Sequence, residues 1–242
     1  PHVETMENKD VNSPNRHLEW MRRDGRPKFD LLDHEVGFVA GGARATDDDG
    51  ELYWRMTQFM LPSHGTGPAT VPGETYYGFT LVPIDDYSCW MYCYAWNPER
   101  DLHDAEREKL IEGHGIMAKV GPDYMPVRTR ANEYQIDRSR QKNETYTGVI
   151  GTAEQDIMVQ QSQGLIADRT RENLTATDAA IVRFRRLLIE GALALDEQGV
   201  EPDAPRRHDA YRTRPGAWVA TSDKELLEVL IERFGHERGL VS

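Results

Sequence analysis

The chain has 242 residues, 38% hydrophobic and 29% charged, and its 41 acidic against 29 basic side chains give a formal charge of -12. That length supports a core burying roughly 70–75% of the unfolded surface, and the scattered Lys and Arg residues form no basic stripe of the kind a nucleic-acid binder carries. No apolar run reaches the length of a membrane span, no charged segment followed by an apolar one opens the chain, and two cysteines cannot supply four zinc or cluster ligands, so the expectation is a cytoplasmic protein without nucleic-acid or membrane partners.

From Phe29 to about Trp96 the pattern is strand-like. Phe29 to Ala45, broken by Gly37, Gly41 and Gly42, predicts two strands or a bent one, and Asp47-Asp48-Asp49-Gly50 is a turn signal before a strand at Leu52 to Leu61. Ser63 to Gly73, rich in Gly and Pro, reads as a loop. Tyr76 to Ile84 and Tyr87 to Trp96 predict a second strand pair across Asp85-Asp86. In the latter strand Trp90, Tyr92, Tyr94 and Trp96 alternate with Cys89, Met91, Cys93 and Ala95, so one side is wholly aromatic. The two cysteines are expected to be small apolar core residues. Short connections make the sheet antiparallel.

The second half is helical. Leu102 to Gly113 is charged and amphipathic, and Thr152 with Gln155 marks a helix start near Ala153. Ile181, Phe184, Leu187, Leu188, Ala192 and Leu195 recur at helical spacing, which predicts a long helix from about Thr177 to Glu197, stopped by Gly199 and lying on the sheet. Ser222 and Glu225 form a capping-box pattern before a last helix carrying Leu226, Leu227, Leu230 and Phe234. Strands first and helices later define an α+β fold, a curved antiparallel sheet around a long C-terminal helix.

No His-Glu-x-x-His, nucleophile elbow, P-loop or Gly-x-Gly-x-x-Gly turn occurs, which removes the usual support for zincin, serine-hydrolase, kinase and dinucleotide readings. On pattern alone Asp156 has two explanations. An acid in the first turns favours the positive end of the helix dipole, and a carboxylate beside an apolar helix face is also how an oxygen ligand is presented to a metal.

The run Asn132-Glu133-Tyr134-Gln135-Ile136-Asp137-Arg138, with Tyr146-Thr147-Gly148, Glu154-Gln155-Asp156, Gln161-Ser162, Asp168-Arg169-Thr170-Arg171-Glu172 and Arg185-Arg186-Leu187-Leu188, resembles the catalytic domain of the large subunit of Rieske non-heme iron oxygenases. Tyr53 to Pro62 and Val82 to Trp90 point to the same branch, that of phthalate 4,5-dioxygenase and dehydrodivanillate O-demethylase. The resemblance implies a helix-grip (START/Bet v 1-like) domain at 29–242, with 1–28 an extension or the remnant of the iron-ligand region. It implies an aromatic ring-hydroxylating dioxygenase or monooxygenase in aromatic compound catabolism, in which mononuclear Fe(II), held by two histidines and the Asp156 carboxylate, performs O2-dependent hydroxylation or O-demethylation of an aromatic acid. The [2Fe-2S] Rieske cluster, its Cys-x-His and Cys-x-x-His ligands and the His-x-x-x-x-His stretch of the family are absent from this sequence, so the resemblance implies a chain lacking the N-terminal part.

His2 stands near where the second iron histidine falls, with His17 as an alternative. Asn132 and Gln155 are candidates for groups supporting the metal ligands. Arg44, Met56, Gln58, Trp90 and Tyr92 are candidates for substrate binding, with Met60, Tyr94 and Trp96 beside them, and Arg55 is expected in a surface ion pair. The Asp168 to Glu172 run is expected to be an ion-pair network supporting the helix of Asp156. The family also implies a homotrimer or higher assembly, a flavin reductase and NAD(P)H as electron source. The rival reading is a metal-free helix-grip module binding a hydrophobic small molecule, with Asp156 capping its helix.

Overall fold

The computed structural model describes residues 16–67, 75–97, 99–113 and 115–234. Its strands are β1 (Lys28–His34), β2 (Gly37–Ala45), β3 (Glu51–Met60), β4 (His64–Gly67), β5 (Tyr76–Pro83), β6 (Cys89–Trp96) and β7 (Gly216–Thr221). Its α-helices are α1 (Arg16–Arg23), α2 (Asp104–Ile111), α3 (Arg138–Asn143), α4 (Thr152–Ser162), α5 (Ala179–Gln198) and α6 (Leu226–Phe234). Among the described residues the seven strands form one antiparallel sheet in the order β1-β2-β3-β4-β5-β6. The free flank of β3 is shared, its residues 51–56 pairing with β7 and its last three with β4.

Ser63 to Gly73 is not all loop, because His64–Gly67 is a strand. Glycine is the reason: a Cβ on Gly65 would lie 2.4 Å from the Phe79 ring, so the bare backbone lets that ring cross the strand. Part of the remainder of that segment lies outside the described residues. β7 carried too short a pattern to be read, since its partner on β3 is more than 150 residues away.

Directly paired residues project to the same side of an antiparallel sheet, so the register divides the strand residues into two faces. One face carries Phe29, Leu31, Phe38, Ala40, Arg44, Tyr53, Arg55, Phe59, Tyr77, Phe79, Met91, Cys93 and Ala217. The first half of α5 lies on it, with Ala180, Phe184 and Leu187 against Phe38, Ala40 and Phe59. α1 covers it near Tyr53 and Ala217 through Trp20. The opposite face carries Val39, Ala43, Trp54, Met56, Gln58 and Met60, and α6 packs there through Leu226, Val229 and Leu230.

α5 ends at Gly199 in the left-handed conformation, where the sequence places its stop. The start of α6 differs from the expected box. Glu228 returns its carboxylate to the Glu225 amide at 2.9 Å, one turn later than the Ser222–Glu225 pairing.

α1, inside the segment read as an extension, is fastened to the β2–β3 turn through Asp47. That carboxylate accepts from Trp20 Nε1 and Arg23 Nη1, each at 2.9 Å, and from Arg16. The Trp20 hydrogen bond first, then the arginines, holds the Asp47 pKa down at about 2 from an ordinary 3.8. A folded-state pKa below the unfolded one adds stability above pH 4 that vanishes as pH falls through 2. Asp47→Asn is therefore expected to melt below wild type at pH 7, with the two melting temperatures converging between pH 4 and pH 2; a gap constant across that window would exclude this anchoring.

Candidate functional site

Asp156 lies in the second turn of α4, half-buried, just after the fully enclosed Ala153, Glu154 and Gln155. The helix does not begin on a side-chain cap from Thr152; Gly151 occupies that position at φ +99° and gives no cap hydrogen bond. Two side chains fix the start from within. Gln155, 1% exposed, donates through Nε2 to the Val149 carbonyl at 2.8 Å. Glu154 accepts from the Lys119 amide at 3.0 Å.

That second contact fixes the side of the sheet on which α4 stands. The segment 115–119 lies on Tyr77 and Cys93: the Cys93 thiol donates to the Ile116 carbonyl at 3.5 Å, and a Cβ on Gly115 would meet the Tyr77 ring at 2.9 Å. Because Glu154 grips Lys119, α4 stands beyond this segment on the same side as α5. Arg44 and Arg55 therefore share a face with the elements that carry Asp156. Met56, Gln58, Trp90 and Tyr92 belong to the other one.

The structure explains those four differently. Met56 is enclosed between the sheet and α6. Gln58, with no exposed surface, donates to the Arg214 carbonyl at 3.1 Å and accepts from His34 Nε2 at 3.2 Å. Since the Gln58 amide is spent on a carbonyl, its oxygen must face His34. Trp90 and Tyr92 are open to solvent, Tyr92 at 58%. Met60 joins Val36, Ala204 and Ala210, and the Tyr94 and Trp96 rings lie 5.7 Å apart beside each other.

Arg44 is half-buried, and its Nε has no hydrogen-bond partner among the described residues. Burial first, then the nearby Arg55, lowers its pKa. Arg55 is half-buried beneath α1, with Nη1 2.9 Å from the Met21 sulfur, and burial lowers its pKa too. Two guanidinium groups on neighbouring strands make this stretch locally cationic in an acidic chain.

Asn132 is exposed and sits in a 3-10 turn, Arg130–Gln135, that packs against α4. Its Oδ1 accepts from the Thr129 amide at 2.9 Å and its Nδ2 donates to Val127 at 2.8 Å. Its visible work is to build that turn. The Asp168 to Glu172 network supports α5 and not α4, because Glu172 bridges Arg169 at 2.9 Å and Arg185 of α5 at 2.6 Å. The cysteines are not core residues: Cys89 is exposed and Cys93 half-buried, with burial raising its thiol pKa.

A mononuclear iron centre needs three convergent ligands on one face of an octahedron. Among the described residues no three His, Cys, Asp or Glu side chains converge in that way. His17 is packed between the Trp20 and Tyr53 rings, with centroids 5.1 and 4.8 Å away. His34 is engaged by Gln58, and His64 by Thr80 at 2.8 Å. The described residues thus contain a carboxylate fit for the site but not the two imidazoles; His2 lies outside them.

An antiparallel sheet with a long helix laid across one face, and a separate short helix presenting a half-buried aspartate on that side, define the helix-grip class of catalytic domain. The chain belongs to the family described as LigXa C-terminal domain like, whose profile matches residues 2–205. It is 31% identical over 186 residues to the phthalate 4,5-dioxygenase oxygenase subunit of Pseudomonas putida, covering 74% of this chain and 41% of that protein. It is 24% identical over 198 residues to the 3-chlorobenzoate-3,4-dioxygenase oxygenase subunit of Comamonas testosteroni, covering 74% of this chain and 44% of that protein. These relatives lie in the Rieske oxygenase branch that the residue pattern resembles, and the chain spans less than half their length. No described helix is long and apolar enough to cross a membrane.

Proposed function

We propose that this chain is the C-terminal catalytic portion of a Rieske-type oxygenase component, and that the whole protein hydroxylates or O-demethylates an aromatic acid with dioxygen. The observation that carries the reading is the placement of Asp156 on a helix with an enclosed first turn, on the side of the sheet that also carries Arg44 and Arg55. Relatives that are dioxygenase oxygenase subunits support an iron-dependent protein. In this reading Asp156 provides the carboxylate to mononuclear Fe(II), and the two imidazoles come from outside the described residues, His2 being one candidate. Bound there, the iron would supply dioxygen activation, with a [2Fe-2S] cluster outside this chain, a separate flavin reductase and NAD(P)H as the implied source of electrons.

The chain's own groups have separable tasks. Arg44, with Asp24 and Arg55 near it, brings a guanidinium to the face under α1, and in this reading that guanidinium pairs with a substrate carboxylate. That favours an anionic aromatic over a neutral one. Gln155 and Glu154 hold the start of α4 by bonds to Val149 and Lys119, which fixes the direction in which Asp156 leaves the helix. Asn132 builds the turn behind that helix. The whole protein is a homotrimer or a higher assembly in this reading, with residues 29–242 as its catalytic domain.

Anaerobic Fe(II) titration of the whole protein tests the assignment. Wild type is expected to bind one equivalent, and Asp156→Ala to bind at least tenfold more weakly while keeping its far-ultraviolet circular dichroism. Equal titration curves for the two proteins would remove Asp156 from the centre and favour a metal-free module holding a hydrophobic ligand.

A further inference from the structure

Three consecutive residues other than glycine, Glu133, Tyr134 and Gln135, adopt left-handed backbone angles, with φ of 54°, 56° and 48°. Single left-handed residues of this kind are uncommon, and a run of three persists only where its surroundings enforce it. Besides Asn132, which shapes the start of the turn, one further side chain enforces the run. Arg128 Nη1 donates to the Tyr134 carbonyl at 2.8 Å and to the Gln135 carbonyl at 2.9 Å. The Nε of the same guanidinium lies 3.9 Å from Glu154 Oε2, and the Glu154 side chain is only 7% exposed.

Glu154 stands two residues before Asp156. Its Oε1 is used by the Lys119 amide, whereas its Oε2 is buried without a hydrogen-bond partner, as is the Tyr134 hydroxyl. A buried carboxylate without its cation is costly, so the position of α4 is coupled to the charge on Arg128. We infer that Arg128 is a positioning residue for the Asp156 helix: through one guanidinium it holds the left-handed turn behind α4 and faces the buried acid in the helix's first turn. The consequence for a metal rests on the reading of Asp156 given above; the mechanical part does not.

The mechanical part is tested by hydrogen exchange on the full chain, comparing wild type, Arg128→Ala, Arg128→Lys and Glu154→Gln. In Arg128→Ala the amides of 129–137 and 152–158 are expected to exchange at least tenfold faster, while those of β2 and β3 keep wild-type rates. Arg128→Lys keeps the charge but offers one ammonium where Arg128 uses both Nη1 and Nε, so it restores only part of the protection. Glu154→Gln, which keeps an acceptor for Lys119 but loses the charge, speeds exchange in 152–158 and leaves 129–137 unchanged. Unaltered exchange at 152–158 in Arg128→Ala, or equal acceleration across the sheet, would overturn the proposal.

Fe(II) titration of the whole protein carrying the same substitutions separates the two claims. Arg128→Ala is expected to bind several-fold more weakly, with Arg128→Lys between it and wild type. If Asp156→Ala binds as wild type, the metal reading falls and the exchange result still decides the role of Arg128. If Asp156→Ala loses binding and Arg128→Ala does not, the coupling from Arg128 to Asp156 is refuted.

Discussion

Replacing Trp54 by Ala is expected to lower the stability of the fold by about 3–5 kcal/mol, the range for removing a fully buried aromatic side chain from a core. Trp54 has no exposed surface and fills the space where β2 and β3 meet α6, against Val39, Ala43, Met56, Leu226, Val229 and Leu230. Few neighbours can collapse into the void, because the strand backbones are held by pairing on both sides. A second variant makes the result specific to volume. The Trp54 Nε1 is buried with no hydrogen-bond partner, so Trp54→Phe discards an unsatisfied donor together with part of the ring. It is expected to cost less than about 1.5 kcal/mol. Urea unfolding followed by circular dichroism reads both, and an Ala variant within about 1 kcal/mol of wild type would mean that α6 does not close this core.

Gln58→Leu carries the second large effect, and its cost comes from polarity with volume nearly conserved. The substitution leaves the Arg214 carbonyl and the His34 Nε2–H without their partner. At about 1–3 kcal/mol for each stranded buried group, a loss of about 2–6 kcal/mol is expected. The loss should grow on the acid side. Burial holds the His34 pKa below 6.5 in the fold, while the Gln58 hydrogen bond pushes it back up. Neutral His34 is thus favoured in the folded state, stability is complete above pH 6.5, and it declines as the unfolded chain takes up protons below that value. Without Gln58 the depression deepens, so the gap between variant and wild type should widen from pH 8 to pH 5. A gap that narrows over this interval would reverse the assigned hydrogen-bond direction.

The parts of this fold legible in the sequence are those whose periodicity is local. β1, β2, β3, β5, β6 and α5 all announce themselves through alternation or helical spacing, and Asp156 and Gln155 fall on one helix as expected. β4 was hidden because its glycines, needed for the approach of the Phe79 ring, also look like a loop. β7 and α1 are short and stabilised by distant partners, Tyr53 and its neighbours on β3, which no window of sequence contains.

The side of the sheet on which each residue lies was the larger omission. Alternation shows that Trp90, Tyr92 and Tyr94 share a side; only the pairing register and the contact of Cys93 with Ile116 show that α4 stands on the other one. Several residues that carry the family resemblance are explained by backbone work. Asp137 caps α3 by accepting from the Arg140 amide at 2.9 Å, and Asp168 accepts from the Thr170 amide at 3.0 Å. Gly148 has φ +67° and would place a Cβ 2.5 Å from the Asp137 carbonyl oxygen. Such residues identify a fold reliably because the chain cannot make its turns without them, and for the same reason they reveal little about chemistry.

Position parity along β5 and β6 consequently sorts substitutions by the face of the sheet they alter. Altering the even-numbered aromatics of β6 remodels an exterior wall. Altering residues 77, 79, 93 and 95 acts instead on the side where the segment that α4 grips meets Cys93.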